Sequence, residues 1–146
     1  MQTLNLLNKK DEYIKEYLNI LSYIIEAAIS KDKGELSSKV KDKFFIAKTS
    51  LPEETVKKSG IYLWKYRKYV KNEEFEKLLE MNFEQEQEQI KKESKDELAQ
   101  RFQEILSRLR HVWTLFNINE KNIIKHKIKC LLQSYANYAL IISNIK

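Results

Sequence analysis

The fold of this chain is decided by residues 98–116, which read LAQRFQEILSRLRHVWTLF. Apolar side chains recur there at alternating intervals of four and three residues, at Leu98, Phe102, Ile105, Leu109, Val112 and Phe116. This spacing places them on one stripe of an α-helix, and the strict alternation is typical of helices that pack in pairs. Ser94 and Glu97 form a capping-box pattern, which predicts that the helix begins just after Ser94.

The last segment of the chain repeats this pattern after a short polar connection. Asn117, Ile118 and Asn119 interrupt the periodicity. A final helix is then predicted by the same alternation at Ile124, Ile128, Leu131, Tyr135, Tyr138, Ile142 and Ile145. Two adjacent helices with matching seams and a short connection predict a C-terminal antiparallel helical hairpin.

The remainder of the chain is also helical by periodicity. Apolar spacing predicts helices over residues 4–30, 35–48 and 51 to about 71, with a short helix after residue 74. The first of these carries a seam that matches the two C-terminal ones. The 146 residues include only two glycines and one proline, whereas sheet proteins need these residues for their many turns. We therefore predict an all-α, single-domain bundle of five or six helices over residues 1–146.

One stretch lacks an apolar face. Residues 84–89 alternate Glu and Gln, so that 84–93 has polar side chains on every side of a helix. Such a segment is either an exposed polar helix or a linker.

Charge is sorted along the chain. Residues 51–72 carry six basic and two acidic side chains, and residues 98–146 carry eight and two. Residues 73–97, called the acidic block below, carry four basic and ten acidic side chains. Clustered positive charge on a small helical protein indicates a polyanionic partner, most often nucleic acid. The acidic block is either an arm that docks on a basic surface or a solvated helix or loop.

The densest basic segment is residues 57–71, where lysines alternate with aromatic residues. On a helix, Lys57, Ile61, Trp64, Lys68 and Lys71 share one side, opposite an apolar-aromatic side. Lysines neutralise phosphates and an exposed Trp stacks on a base. This pattern predicts nucleic-acid contacts at Lys57, Trp64, Lys65, Arg67, Lys68 and Lys71. Two alternatives remain, namely a solvated lysine face with Trp64 buried against another helix, and a protein interface.

A second basic cluster falls on the predicted hairpin. Arg101 and Arg108 share a face of one helix, and Lys125 and Lys129 share a face of the next. In a hairpin these four side chains would form a continuous strip that could follow a phosphate backbone. The alternative is that they are solubilising flanks of the helical seam.

No motif for catalysis or for a cofactor is present. His126 and Cys130 share a helix face, but the only other histidine is His111 and there is no second cysteine, so we expect no metal site. The sequence contains no glycine-rich phosphate loop and no nucleophile-elbow motif. We expect a protein without enzymatic activity, cofactor or metal.

The sequence also bears on location. We expect no membrane segment, because no apolar stretch approaches the roughly 20 residues that cross a bilayer, and no secretory signal is visible at the start. The single cysteine, Cys130, fits a reducing compartment. Together these observations predict a cytoplasmic protein.

Three stretches resemble the small all-helical subunit of type III CRISPR effector complexes. They are Glu35-Leu36-Ser37-Ser38-Lys39-Val40, the run from Ile61 to Arg67, and the closing run from Leu131 to Ala139. The resemblance covers about half of the chain. It implies a non-catalytic subunit that stacks in a filament and contacts guide or target strands through basic helices.

Two function hypotheses follow. The first is a non-catalytic helical subunit that binds single-stranded nucleic acid through backbone charge within a larger assembly, with protein partners or self-association. The second is a helical scaffold or adaptor that binds partner helices and has no nucleic-acid role.

Overall fold

The computed structural model describes residues 2–145, and within that range it contains nine α-helices and no strand. The all-α class is confirmed. The predicted number of five or six helices is not confirmed, because two of the predicted helices are interrupted and residues 84–93 form a further helix. The predicted domain of residues 1–146 extends one residue beyond the described part at each end. The helices are α1 (Gln2–Lys31), α2 (Glu35–Ser50), α3 (Pro52–Lys65), α4 (Arg67–Lys71), α5 (Phe75–Leu79), α6 (Glu84–Glu93), α7 (Glu97–Gln100), α8 (Phe102–Leu115) and α9 (Ile118–Asn144).

The two longest helices, α1 and α9, form the main packing unit and run antiparallel. Lys31 at the end of α1 pairs with Glu120 at the start of α9, with 3.0 Å between Nζ and Oε2. Farther along, the Ser134 hydroxyl donates to the carbonyl of Tyr13 at 3.4 Å. The apolar seams of the two helices therefore face each other along most of their length.

The predicted C-terminal hairpin is not confirmed, because the main partner of α9 is α1 and not α8. The 27 residues of α9 match the 30 residues of α1, whereas α8 has 14 residues. At 1.5 Å per residue, the longer partner covers far more of the apolar stripe of α9. The backbone of α8 lies nearest to α1, α5 and α7, and only the C-terminal end of α8 reaches α9, through Val112 and Trp113.

The interruptions lie at Tyr66 and Arg101. Tyr66 ends α3, and the turn brings Val70 of α4 into the core. Arg101 separates α7 from α8. The predicted capping box at Ser94 is replaced by Asp96, whose carboxylate accepts from the backbone N–H of Leu98 at 2.9 Å. An N-cap of this kind satisfies one of the free donors at the start of a helix.

The core lies on both sides of α9. One cluster joins Trp113 and Phe116 of the α8 end to Ile124, Ile128 and Leu132 of α9. The other cluster joins α1 and α3 to α9 through Ile14, Tyr17, Leu18, Val56, Leu131 and Tyr138. Because Leu131 and Leu132 are neighbours in sequence, α9 separates and supports both clusters.

Residues 84–93 form a helix, α6, whose side chains are mostly exposed. Glu86 is the exception, since only 5% of it is exposed. Its Oε1 accepts from Lys65 Nζ at 2.5 Å and from the Tyr66 hydroxyl. The prediction that this stretch is polar and exposed on every face is therefore wrong at Glu86, because two donors from the α3–α4 region hold that carboxylate inside.

Candidate nucleic-acid interface

Trp64 forms one wall of a surface groove between the end of α3, α4 and α9. The groove has a volume of about 350 Å³ and is lined by Trp64, Lys71, Lys129, Leu132, Gln133 and Ala136. We call it the Trp64 groove. The Trp64 side chain lies at the surface, with 41% of the residue exposed. The alternative in which Trp64 is buried against a neighbouring helix therefore does not describe this side chain.

Two cations lie near the Trp64 ring. The guanidinium carbon of Arg67 is 4.5 Å from the ring centroid, and Arg67 Nη1 donates to the Trp64 carbonyl at 2.9 Å. Lys71 Nζ is 6.0 Å from the same centroid. Cation–π attraction favours these positions. The side chains that could stack on a base and neutralise a phosphate are therefore already assembled.

The position of Trp64 depends on a glycine one turn earlier on α3. The Tyr135 ring of α9 packs directly on Gly60, where a Cβ atom would lie 2.0 Å from Tyr135 Cδ1. The centroid of Tyr135 is in turn 6.4 Å from that of Trp64. The missing side chain at Gly60 thus allows α3 and α9 to approach closely, and this approach sets the width of the Trp64 groove.

Three exposed cations at this site are free of carboxylates. Arg67, Lys68 and Lys71 form no ion pair of 4.0 Å or less with any residue in the described range 2–145. We call them the open cations. Together with Lys65 and Asn72 they line a second shallow depression beside the Trp64 groove. An incoming phosphate would meet these side chains without displacing a carboxylate.

Lys65 is held differently. Its ammonium is bound to the buried carboxylate of Glu86. Burial raises the pKa of Glu86, but the hydrogen bonds from Lys65 and Tyr66 lower it, and the net result is a pKa below the usual range. Lys65 therefore serves as the partner of a buried anion, although it lies beside the open cations.

The predicted strip over Arg101, Arg108, Lys125 and Lys129 is not formed, because α8 and α9 do not pack side by side. Arg108 lies 3.4 Å from Asp32 at the α1–α2 junction. Arg101 is held at 2.7 Å by Glu104 and also contacts Glu97 and Glu35. These two arginines belong to the opposite part of the molecule and are paired there.

The two α9 lysines of the predicted strip, Lys125 and Lys129, face the start of the acidic block. Lys125 Nζ lies 2.8 Å from Glu76, and Lys129 Nζ lies 2.7 Å from Glu73. The hydrogen bond from Lys129 lowers the pKa of Glu73. Lys129 also lines the Trp64 groove, so it is the one member of the second cluster that the structure brings to the first.

Lys57 is exposed two turns before Trp64 and lies outside the lining of the groove.

The acidic block docks on basic side chains of its own chain. Glu73, Glu76, Glu86, Asp96 and Glu97 each pair with a lysine distant in sequence. The acidic block was predicted to be either an arm docked on a basic surface or a solvated helix or loop. At these five residues it is docked on basic side chains. Sequence reasoning missed Glu73 and Glu86 as neighbours of the site, because nothing in a run of similar carboxylates distinguishes the ones that find a partner.

Other features add no chemistry to the site. His126 Nε2 lies 3.5 Å from Cys130 Sγ, and among the described residues no group of three His, Cys, Asp or Glu is arranged to hold a metal. No helix within residues 2–145 is long and apolar enough to span a bilayer.

The comparisons with known proteins yield no relative. Neither a family model, nor a curated protein, nor a solved structure matches this chain.

Proposed function

We propose that the chain is a non-catalytic helical subunit that binds single-stranded nucleic acid through the backbone charge of the strand, as part of a larger assembly. The observation that carries this proposal is an exposed tryptophan beside three cations that have no carboxylate partner within residues 2–145. Those cations are Arg67, Lys68 and Lys71. The predicted site also contains five basic residues that pair with carboxylates, namely Lys65, Arg101, Arg108, Lys125 and Lys129. Arg67, Lys68 and Lys71 do not pair in this way within residues 2–145, and neither does Lys57, which lies outside the lining of the groove.

The chemistry of the Trp64 groove favours a single strand over a duplex. A base must be unstacked from its neighbours before it can lie against an aromatic ring, and single strands offer such bases at little cost. Lysine and arginine contacts to phosphates carry no base information. We therefore expect binding with weak sequence preference.

The proposal of an assembly rests on an exposed apolar surface. Phe45 and Ile46 on α2 are each 60% exposed, and Leu51 follows them at the α2–α3 junction. Apolar side chains that lie close together at the surface are typical of protein interfaces. A stacked subunit of the kind implied by the resemblance to type III CRISPR small subunits would use such a surface. The expected cytoplasmic location belongs to the same proposal.

The second candidate is a scaffold or adaptor that binds partner helices. One observation favours it. Ile105 and Leu109 of α8 separate two shallow, mainly apolar depressions, one against α1 and α2 and the other against α3 and α6. The predicted seam of α8 therefore remains partly without a partner within residues 2–145, and a helix of another protein could cover it.

An affinity series separates the two candidates. The variant Lys68→Gln/Lys71→Gln removes two open cations, and Lys9→Gln/Lys15→Gln removes the same charge from exposed positions on α1. Binding of labelled oligothymidine is measured by fluorescence anisotropy at several salt concentrations. We expect the first variant to lose affinity about tenfold at low salt and to flatten the slope of log affinity against log salt by about 1.4, or about 0.7 per lost contact.

The control variant Lys9→Gln/Lys15→Gln should change both the affinity and the salt slope by only a small fraction of the change in the first variant. Equal losses in both variants would show that only net charge matters. Absence of binding by the unmodified protein would reject the nucleic-acid proposal and favour the scaffold.

A further inference from the structure

Glu73 occupies a backbone position that ordinarily selects glycine. Its φ is 57°, in the left-handed region. The N–H of Glu74 donates to the carbonyl of Tyr69 at 2.8 Å, and the N–H of Glu73 donates to the carbonyl of Val70 at 3.2 Å. These two bonds form a Schellman motif that ends α4, and the left-handed residue in that motif is most often glycine. Glutamate at this place therefore calls for a reason that lies in its side chain.

The side chain of Glu73 reaches across to the Trp64 groove. Its Oε1 accepts a hydrogen bond from Lys129 Nζ at 2.7 Å, and Lys129 is part of the groove wall together with Trp64 and Lys71. A carboxylate thus occupies the position beside Lys129 that a phosphate oxygen of a bound strand would take. The pair is open to solvent, with 38% of the Lys129 side chain and 61% of the Glu73 side chain exposed.

We propose that Glu73 is an internal competitor of phosphate for Lys129, and that it weakens strand binding at the Trp64 groove by keeping this lysine occupied. The inference rests on the proposed function. Exposed ion pairs contribute little to stability, so the carboxylate can leave without harm to the fold. Any event that neutralises or displaces Glu73 would add a fourth cation to the open cations.

Glu86 illustrates the other kind of internal carboxylate. It is buried, and both Lys65 and the Tyr66 hydroxyl donate to the same oxygen. Removing it would leave the half-buried Tyr66 hydroxyl without its acceptor, which is costly. Glu86 therefore anchors α6 on the α3–α4 region, and Lys65 stays paired. Glu73 has one ion-pair partner within residues 2–145 and no such burial, so of these two carboxylates it is the one placed to be exchanged for phosphate.

The test compares two variants that remove the same charge. Glu73→Gln frees Lys129, and Glu26→Gln frees Lys41 from a pair on the far side, at α1 and α2. Glu26 has a side-chain exposure of 57%, close to that of Glu73. Oligothymidine affinity is measured for both variants and for the unmodified protein over a range of salt concentrations. We expect Glu73→Gln to bind about two- to fivefold more tightly at low salt, with a salt slope steeper by about 0.7, and Glu26→Gln to bind as the unmodified protein does.

A further variant assigns the gain to Lys129. In a Lys129→Gln background, Glu73→Gln should bring no gain, because the cation it frees is absent. The inference is overturned if Glu73→Gln and Glu26→Gln behave alike, or if the gain persists without Lys129. These outcomes differ from failure of the proposed function, in which the unmodified protein and every variant leave the oligonucleotide unbound. That last result would reject both.

Discussion

The two tryptophans of this chain lie in opposite kinds of surroundings. Trp113 is 8% exposed and packs between Phe75 and Phe116, with ring centroids at 4.9 and 6.0 Å. Trp64 is 41% exposed and lies beside Arg67 and Lys71. Each ring has its own lysine nearby. Lys71 lies near Trp64, and Lys121 Nζ is 5.6 Å from the centroid of the Trp113 ring. A nearby cation therefore does not distinguish a binding tryptophan from a structural one; access to solvent does.

The charges near Trp64 also differ from those of the α7–α8 region. Around Trp64 the open cations have no carboxylate partner within residues 2–145, whereas Arg101 and Arg108 of the α7–α8 region are paired with Glu104 and Asp32. Other lysines and arginines within residues 2–145 also have no carboxylate within 4.0 Å, but Arg67, Lys68 and Lys71 lie together and line one small area. That area coincides with the exposed tryptophan, and the coincidence is the basis of the proposed function.

The largest difference should appear when each tryptophan is truncated. We expect Trp113→Ala to lower the free energy of unfolding by about 3–5 kcal/mol, because it opens a cavity in the core. Trp64→Ala should cost less than about 2 kcal/mol, because its ring is partly solvated already. Urea denaturation monitored by circular dichroism measures both. A cost for Trp64→Ala as large as that for Trp113→Ala would place Trp64 in the core and break the comparison.

Periodicity was sufficient to predict which segments are helical, but not where two of the helices are interrupted or which helices pack together. The seams of α8 and α9 are real, and the residues that form them are mostly buried or half-buried. A seam does not specify which other helix covers it. The long α1 carries a matching stripe, and it competes successfully with α8 for α9 because it offers a longer contact. The hairpin prediction assigned the partner by proximity in sequence, and proximity was the wrong criterion.

The candidate site was predictable in part for a similar reason. Trp64, Arg67, Lys68 and Lys71 fall within one dense segment, so local spacing was enough to bring them together. Whether a lysine is free or paired depends on contacts distant in sequence, as between Lys129 and Glu73 or between Lys125 and Glu76. Local patterns carry no information about such pairs, and the left-handed backbone at Glu73 leaves no trace in the sequence either.

A smaller effect should connect the two regions through Gly60. A Cβ at this position would lie 2.0 Å from Tyr135 Cδ1, so Gly60→Ala must displace either the ring or the helix. We expect a loss of about 2 kcal/mol in the free energy of unfolding, despite the better helix propensity of alanine. Gly34→Ala is a steric control, since its Cβ would meet no atom closer than 3.8 Å. Gly34 is the N-cap of α2, where alanine is a poorer residue, so we expect a loss below about 1 kcal/mol.

The same pair of variants can be carried into the binding assay. Gly60→Ala should weaken oligonucleotide binding even at temperatures where the protein is fully folded, because the groove between Trp64 and α9 is altered. Tyr135→Leu in the Gly60→Ala background should restore part of the stability by making room for the new methyl group. Unchanged stability and binding in Gly60→Ala would contradict the role assigned to the contact between α3 and α9.

The central claim is that a strand binds at Trp64, and tryptophan emission tests it most directly. Oligothymidine is titrated into the unmodified protein and into Trp64→Phe, which retains Trp113 as its only tryptophan, while anisotropy of a labelled strand records binding independently. Stacking of a base on the Trp64 ring predicts saturable quenching in the unmodified protein that salt reverses, and little quenching in Trp64→Phe. Equal quenching in the two proteins, or binding that leaves the emission of the unmodified protein unchanged, would contradict the account.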